Sequence, residues 1–204
     1  MTRVIACLLL AGALAWTQEI AVGKILVASR KSQDADFGAT VILLVRHDSQ
    51  ASIGLFLNRP LNIPLSEVYP DLKGAQLKLY AGGPLTVGIR ALYRSRAQPA
   101  GAAKIIENVF MISTKTLLGE MVAKQPTPSV FRVYAGYTGW SPGQLQDEIA
   151  RGLWHVLPGD AGVVFDPHPE TVWSRLMVRL ARANNHFRMR NMFEKSSVQA
   201  WKPV

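Results

Sequence analysis

Apolar residues along this chain gather in short runs, with Gly, Pro and Asp between them, which is the pattern of many short strands and a few helices. Lys24 to Ala28 is a short apolar run, and Thr40 to Val45 is β-branched and leucine-rich, so both predict buried strands. Between them Lys31 to Gly38 has loop composition. Ser52 to Asn58 predicts a further strand, entered from the turn-prone His47-Asp48-Ser49-Gln50, and hairpin pairing with the preceding strand is the simplest topology. Pro60 and Pro64 are expected to end that strand, with Pro64 opening a short helix that Pro70 stops.

Leu77 to Tyr80, Ile89 to Tyr93 and Ile105 to Ile112 are three more strand candidates, followed by a helix over Lys115 to Ala123 that Thr114 can cap. Val130 to Ala135 predicts a strand and Gly136-Tyr137-Thr138-Gly139-Trp140 a glycine-punctuated turn. Ser141-Pro142-Gly143-Gln144 has the form of a capping box, in which Ser141 accepts from the N–H three residues on and Gln144 reaches back. The helix it opens carries Leu145, Ile149 and Leu153 on one stripe, holds Asp147 and Glu148 towards its positive end, and stops at Gly152. Trp154 to Leu157 and Gly162 to Phe165 predict the last strands, and Thr171 to Arg182 a final helix with Val172, Leu176 and Leu180 at spacing four.

These elements predict one α+β domain, since 204 residues without a polar linker or an internal repeat suit a single core. The composition, 49% hydrophobic and 18% charged, belongs to neither a disordered chain nor a polytopic membrane protein. The organisation expected is a signal peptide over residues 1–15, a domain over 16–182 and a basic tail over 183–204. Arg3 supplies a positive start, Val4 to Leu14 an apolar stretch shorter than a membrane span, and Ala13-Leu14-Ala15 a small-x-small cleavage site. Export to the periplasm or medium follows; the alternative is a cytoplasmic protein whose start was chosen too early or whose first residues form a buried helix.

A net charge of +9 favours anionic partners but does not choose among nucleic acid, lipid headgroups and acidic proteins. The single cysteine, Cys7, lies in the leader, so a processed chain has no disulfide, thiolate nucleophile or cysteine-bound zinc. No Gly-x-Ser-x-Gly elbow or His-Glu-x-x-His pair occurs. His47-Asp48 and Asp166-Pro167-His168-Pro169-Glu170 hold metal-ligand residue types, yet the second reads as a loop into the last helix. No cofactor is expected.

Gly23-Lys24-Ile25-Leu26-Val27-Ala28, Asp34 with Phe37, Gly54 to Pro60, Gly82-Gly83-Pro84, and Gly136 to Leu145 with Glu148 and Trp154 follow in the order and rough spacing of one bacterial family. From Gly23 to about Trp173 the chain resembles the AlgH/YqgE family. That resemblance implies a bent, mostly antiparallel sheet rolled into a pseudo-barrel with a few packed helices. Family members often carry a transcriptional-regulator label, and the family pattern defines no catalytic residues. The leader and the basic end depart from the pattern, and export would separate the protein from the chromosome.

The candidate binding surface comprises Asn58, Arg59, Gly82, Gly83, Tyr137, Gly139, Trp140 and Gln144. Asn58-Arg59-Pro60 can present an amide and a guanidinium to a carboxylate or phosphate, or close a turn and pair internally. Gly82-Gly83 can admit an anion close to the backbone, or form a tight turn. The Gly136 to Leu145 segment can bring a helix start next to Tyr137 and Trp140, or serve structure alone. The basic end, with Phe187, Met189, Met192, Phe193 and Trp201, suits a membrane surface or nucleic acid, or is simply solvated. The leading expectation is a non-enzymatic binding or regulatory protein that contacts a protein or an anionic ligand. The alternatives are a cytoplasmic nucleic-acid-binding regulator and, more weakly, a hydrolase using Ser141 or His168.

Overall fold

The computed structural model describes residues 19–32, 34–72 and 77–200, with side chains omitted at 187 and 191–200. The leader over 1–15 lies outside the described residues. The strands are β1 (Ile25–Ala28), β2 (Val41–His47), β3 (Ser52–Phe56), β4 (Pro60–Pro64), β5 (Lys78–Ala81), β6 (Leu85–Arg94), β7 (Ala103–Ile106), β8 (Val109–Ile112), β9 (Phe131–Trp140) and β10 (Trp154–Leu157). The helices are α1 (Leu65–Val68), α2 (Lys115–Ala123), α3 (Gln144–Ala150), α4 (Ala161–Val164) and α5 (Pro169–Ala200).

A single ten-stranded sheet runs β10-β1-β2-β3-β9-β6-β8-β7 with β4 and β5 branching from it. Every pairing is antiparallel except that of β5 with β9. The fold is α+β, with the mostly antiparallel, curled sheet that the resemblance implied. The expected hairpin of β2 and β3 is present, with Leu43 opposite Leu55. Strand β9 is the hinge of the architecture. One edge pairs with β6, while the other takes β5 over Val133 to Ala135 and β3 over Thr138 to Trp140.

Alternation within the strands separates three buried clusters. Ile25, Val27, Val41, Leu43 and Tyr134 point to the side covered by α4 and α5, where Val164, Val172 and Leu176 meet them. Leu26, Ala28, Ile42 and Leu44 point the other way, to Trp140, Leu145 and Trp154 beneath α3. Both faces of β1 and β2 are covered, which explains why their sequences are continuously apolar. Phe131, Val133 and Phe110 pack with Leu118, Met121 and Val122 of α2 in the third cluster. Trp173 fixes α5 to β1 by donating its indole N–H to the Ala28 carbonyl at 2.8 Å.

Several local expectations change. Pro60 and Pro64 bracket a strand instead of ending one, and β4 pairs with β5 only at those two residues, so little of its N–H pattern is required. The long candidate Ile105 to Ile112 is a hairpin of β7 and β8 turning at Glu107-Asn108. Gly136 to Trp140 is not a turn but the second half of β9. Gly136, at φ +74, lies opposite a bulge in β6, where the register shifts between Leu85 and Ile89 and Gly88 also holds a positive φ of +83.

Thr114 occupies the N-cap of α2 without a side-chain bond. Only half of the expected capping box forms: the Ser141 N–H donates to Gln144 Oε1 at 3.1 Å, while Gly143, at φ +80, takes the N-cap of α3. Gly162 to Phe165 is largely helix α4, not strand, because Asp160 caps it by accepting the Gly162 N–H at 2.7 Å. Helix α5 does not end at Arg182; it continues to Ala200, and from Ala181 to Arg190 every described side chain is exposed.

Candidate functional site

Asn58 and Arg59, at the end of β3, turn inward to the loop before β2. Asn58 is 8% exposed; its Oδ1 accepts the Val41 N–H at 2.8 Å and its Nδ2 donates to the Ala39 carbonyl at 2.9 Å. Arg59 Nη2 donates to the Gly38 carbonyl at 2.7 Å and to Thr40 Oγ1 at 3.2 Å. The pair therefore clamps Gly38 to Val41, a stretch in which Ala39 holds φ +52.

Gly82 and Gly83 let β5 approach β9. A Cβ on Gly82 would run into the Gly136 carbonyl, and one on Gly83 into the Tyr137 backbone. The Gly82 N–H donates to Ala135 O at 2.7 Å, and its carbonyl accepts from the Phe56 N–H at 2.9 Å. Tyr137 carries the Arg90 guanidinium 4.6 Å above its ring, and Gly139 is exposed.

Trp140 and Gln144 belong to a polar network centred on Glu148. Its Oε2 accepts from Trp140 Nε1 at 2.9 Å and Trp154 Nε1 at 2.7 Å, while its Oε1 accepts from Gln144 Nε2 at 3.0 Å. The two indoles meet edge to face, and Phe37 closes the cluster against Trp154 and Phe56. Six of the eight sequence candidates thus fall into an Asn58-Arg59 clamp, a Gly82-Gly83 contact with β9 and a Glu148 network, Tyr137 stacks with Arg90 and Gly139 stands exposed, and none of the eight lines the cavity described next.

That cavity, about 490 Å³, lies between β5, the start of β9 and the segment from Phe165 to Glu170. Its ionisable wall consists of Lys78, Tyr80, Arg132 and Glu170. Arg132 is only 3% exposed, yet among the described residues it has no ion-pair partner. Its Nη1 donates to Val164 O at 2.9 Å and its Nη2 to Asp166 O, which ties β9 to the α4–α5 junction. The guanidinium lies 4.9 Å from the Tyr80 ring centroid and 5.9 Å from that of Phe165.

Among the described residues Arg132 Nε is enclosed without a hydrogen-bond partner, and the enclosed Tyr134 phenol has only the Arg132 guanidinium beside it. Burial pushes the Tyr134 phenol far up, with the Arg132 charge opposing. Burial also raises Tyr80, against Arg132 and with Glu170, so both phenols stay protonated at neutral pH.

A family model described as AlgH-like matches residues 25–184. The chain belongs to the AlgH-like family. It is 34% identical over 162 residues to a UPF0301 protein of Methylococcus capsulatus, covering 76% of this chain and 88% of that one. It is 31% identical over 167 residues to a UPF0301 protein of Streptomyces avermitilis, covering 77% and 85%. Among solved structures, the solution structure of the AlgH protein from Pseudomonas aeruginosa matches with TM-score 0.65 at 29% identity, covering 78% of this chain and 87% of that one. A crystal structure of a Corynebacterium diphtheriae protein matches with TM-score 0.67 at 28% identity, covering 79% and 87%. The family is of uncharacterised function, with no named enzymatic activity.

Within this AlgH-like chain the other candidates for chemistry are engaged locally. Asp48 accepts from the Gln50 and Ala51 N–H groups and from Arg46, while His47 Nδ1 bonds Ser52 Oγ, itself 4% exposed, at 2.8 Å. Asp166 pairs with Arg175 at 2.7 Å and His168 stands 3.9 Å from Glu170. Among the described residues no three of His, Cys, Asp and Glu stand close enough to hold a metal ion, and no helix is long and apolar enough to cross a membrane. Arg132 was absent from the sequence candidates. Its one signal was a charge in the middle of Val130 to Ala135, a run that otherwise predicts a buried strand.

Proposed function

We propose that the protein acts by binding an anionic ligand and not by turning over a substrate. The observation that carries this reading is Arg132, a guanidinium held against a cavity wall by aromatic rings and two carbonyls with, among the described residues, no carboxylate in ion-pair contact. An enclosed cation without a counter-charge is costly, and an anion in the adjoining space relieves that cost. The overall charge of +9 draws such ligands in.

The test is a thermal-shift and calorimetric screen of organic and inorganic anions at low ionic strength, with each compound assayed for consumption. Saturable stabilisation that tracks ligand concentration, with the compound recovered intact, is the expected result. A screen in which no anion raises the melting temperature, or one in which a compound is converted, overturns the reading.

A second reading has the exposed Arg175, Arg179, Arg182, Arg188 and Arg190 of α5 engaging nucleic acid in the cytoplasm. It requires mobility-shift binding that weakens steeply with salt, and a native protein that keeps residues 1–15. Export, the first reading's companion, requires a native N-terminus at Trp16 outside the cytoplasm.

A further inference from the structure

We propose that the cavity between β5, β9 and the Phe165 to Glu170 segment takes a small monocarboxylate with an aromatic or otherwise apolar body. This rests on the anion-binding reading and adds both the place and the chemical class.

Charge sets the valence of the ligand. Lys78 and Arg132 face a single carboxylate, Glu170, so the wall carries one net positive charge when the Tyr80 phenol is neutral. One negative charge balances it, whereas a dianion would bring an unmatched charge beside Glu170. Donor geometry points the same way. Phosphate is commonly gripped by both terminal nitrogens of an arginine, but those of Arg132 are already given to Val164 O and Asp166 O. What remains is a fixed positive field behind the Tyr80 ring, the exposed Lys78 ammonium at the rim and the Tyr80 phenol as a neutral O–H donor.

The body of the ligand is set by the rest of the wall. Leu77, Phe131, Phe165, Pro128 and Pro167 surround a space of about 490 Å³, within the range that holds small organic molecules. Rings and prolines offer flat apolar faces, and the one further polar side chain of the wall, Ser129, already pairs its hydroxyl with Thr127 at 2.8 Å, which leaves little to anchor a sugar or a phosphate chain.

The full chain is titrated by calorimetry at mildly alkaline pH, where inorganic phosphate is mainly the dianion, with benzoate, phenylacetate and indole-3-acetate, against benzyl alcohol as a neutral counterpart and inorganic phosphate as the dianionic one. The carboxylates are expected to bind at least about tenfold more tightly than benzyl alcohol or phosphate, a margin one well-placed ionic contact supplies. Lys78→Glu, at an exposed position that leaves folding intact, is expected to weaken them by about tenfold or more. Arg132→Met is expected to abolish binding where it folds, and Lys78→Glu carries the test if it does not.

Equal carboxylate binding to the wild type and to Lys78→Glu places the site elsewhere and overturns this inference, leaving anion binding intact. Phosphate binding without carboxylate binding overturns the ligand class alone. Failure of every anion overturns this inference and the proposed function together.

Discussion

The side-chain oxygen of Asn58 accepts the backbone N–H of Val41 at 2.8 Å, joining the end of β3 to the start of β2 inside the core. Removing it leaves a buried donor unsatisfied. Asn58→Ala is expected to cost about 1–3 kcal/mol, read as a lower urea midpoint with an unchanged slope. Arg59→Ala, which frees the Gly38 carbonyl and the buried Thr40 hydroxyl while these stay bonded to each other, should cost less, and the reverse order would contradict the clamp described here.

Glu148 holds two indoles with one oxygen, so its loss orphans both. Glu148→Ala is expected to destabilise by about 2–4 kcal/mol and to shift tryptophan emission as Trp140 and Trp154 gain access to water. Gln144→Ala removes the outer link and the acceptor of the exposed Ser141 N–H, and should leave the emission of both rings unchanged. An emission maximum equally altered in the two variants would argue against the shared acceptor.

Gly82→Ala tests the contact between β5 and β9. Its methyl group meets the Gly136 carbonyl, a backbone atom that cannot step aside without breaking the pairing. The expected cost is about 3 kcal/mol or more, seen as loss of soluble, cooperatively melting protein. Gly143→Ala is the control, because nothing stands within 4 Å of its added carbon, and its penalty is confined to the left-handed backbone at φ +80.

Acid should weaken the fold in two separate windows. Burial lowers the His155 pKa below its ordinary 6.5, so its contribution is complete above that value and declines as pH falls through it. For Asp166, burial pushes the carboxyl up, but the bonds from Arg175 and the His168 N–H outweigh it and the net pKa is lowered. Its contribution is therefore present above the ordinary 3.8 and lost as pH drops below that. Melting temperature against pH should lose its upper inflection in His155→Gln and its lower one in Asp166→Asn. Curves that superimpose on the wild type would refute the assignments.

Runs such as Val41 to Val45 and Phe131 to Ala135 disclose their strands because both faces are covered, leaving little polarity to confuse the pattern. The misreadings have one root. In the sequence glycine and proline read as chain reversals, whereas Gly136 and Gly139 stand within β9 and Pro60 and Pro64 flank β4. A residue that permits a turn also permits close strand approach, and only the partner strand decides between them. Asp160 tipped Gly162 to Val164 into a helix by capping, an effect that outweighs the strand preference of two valines. For the site, Trp140 and Gln144 were visible as a motif, but Glu148 as their common acceptor depends on Trp154 arriving from β10. Arg132 was hidden for the same reason, since its neighbours Tyr80 and Phe165 come from distant segments.

Because β9 supplies an edge to β3, β5 and β6 together, the polypeptide has no self-sufficient intermediate length before that strand is synthesised. A nascent chain ending short of Phe131 would leave three sets of backbone donors and acceptors unmatched, an invitation to chaperones or to aggregation. One ten-residue segment is thus the point in translation at which β3, β5 and β6 first meet their shared partner.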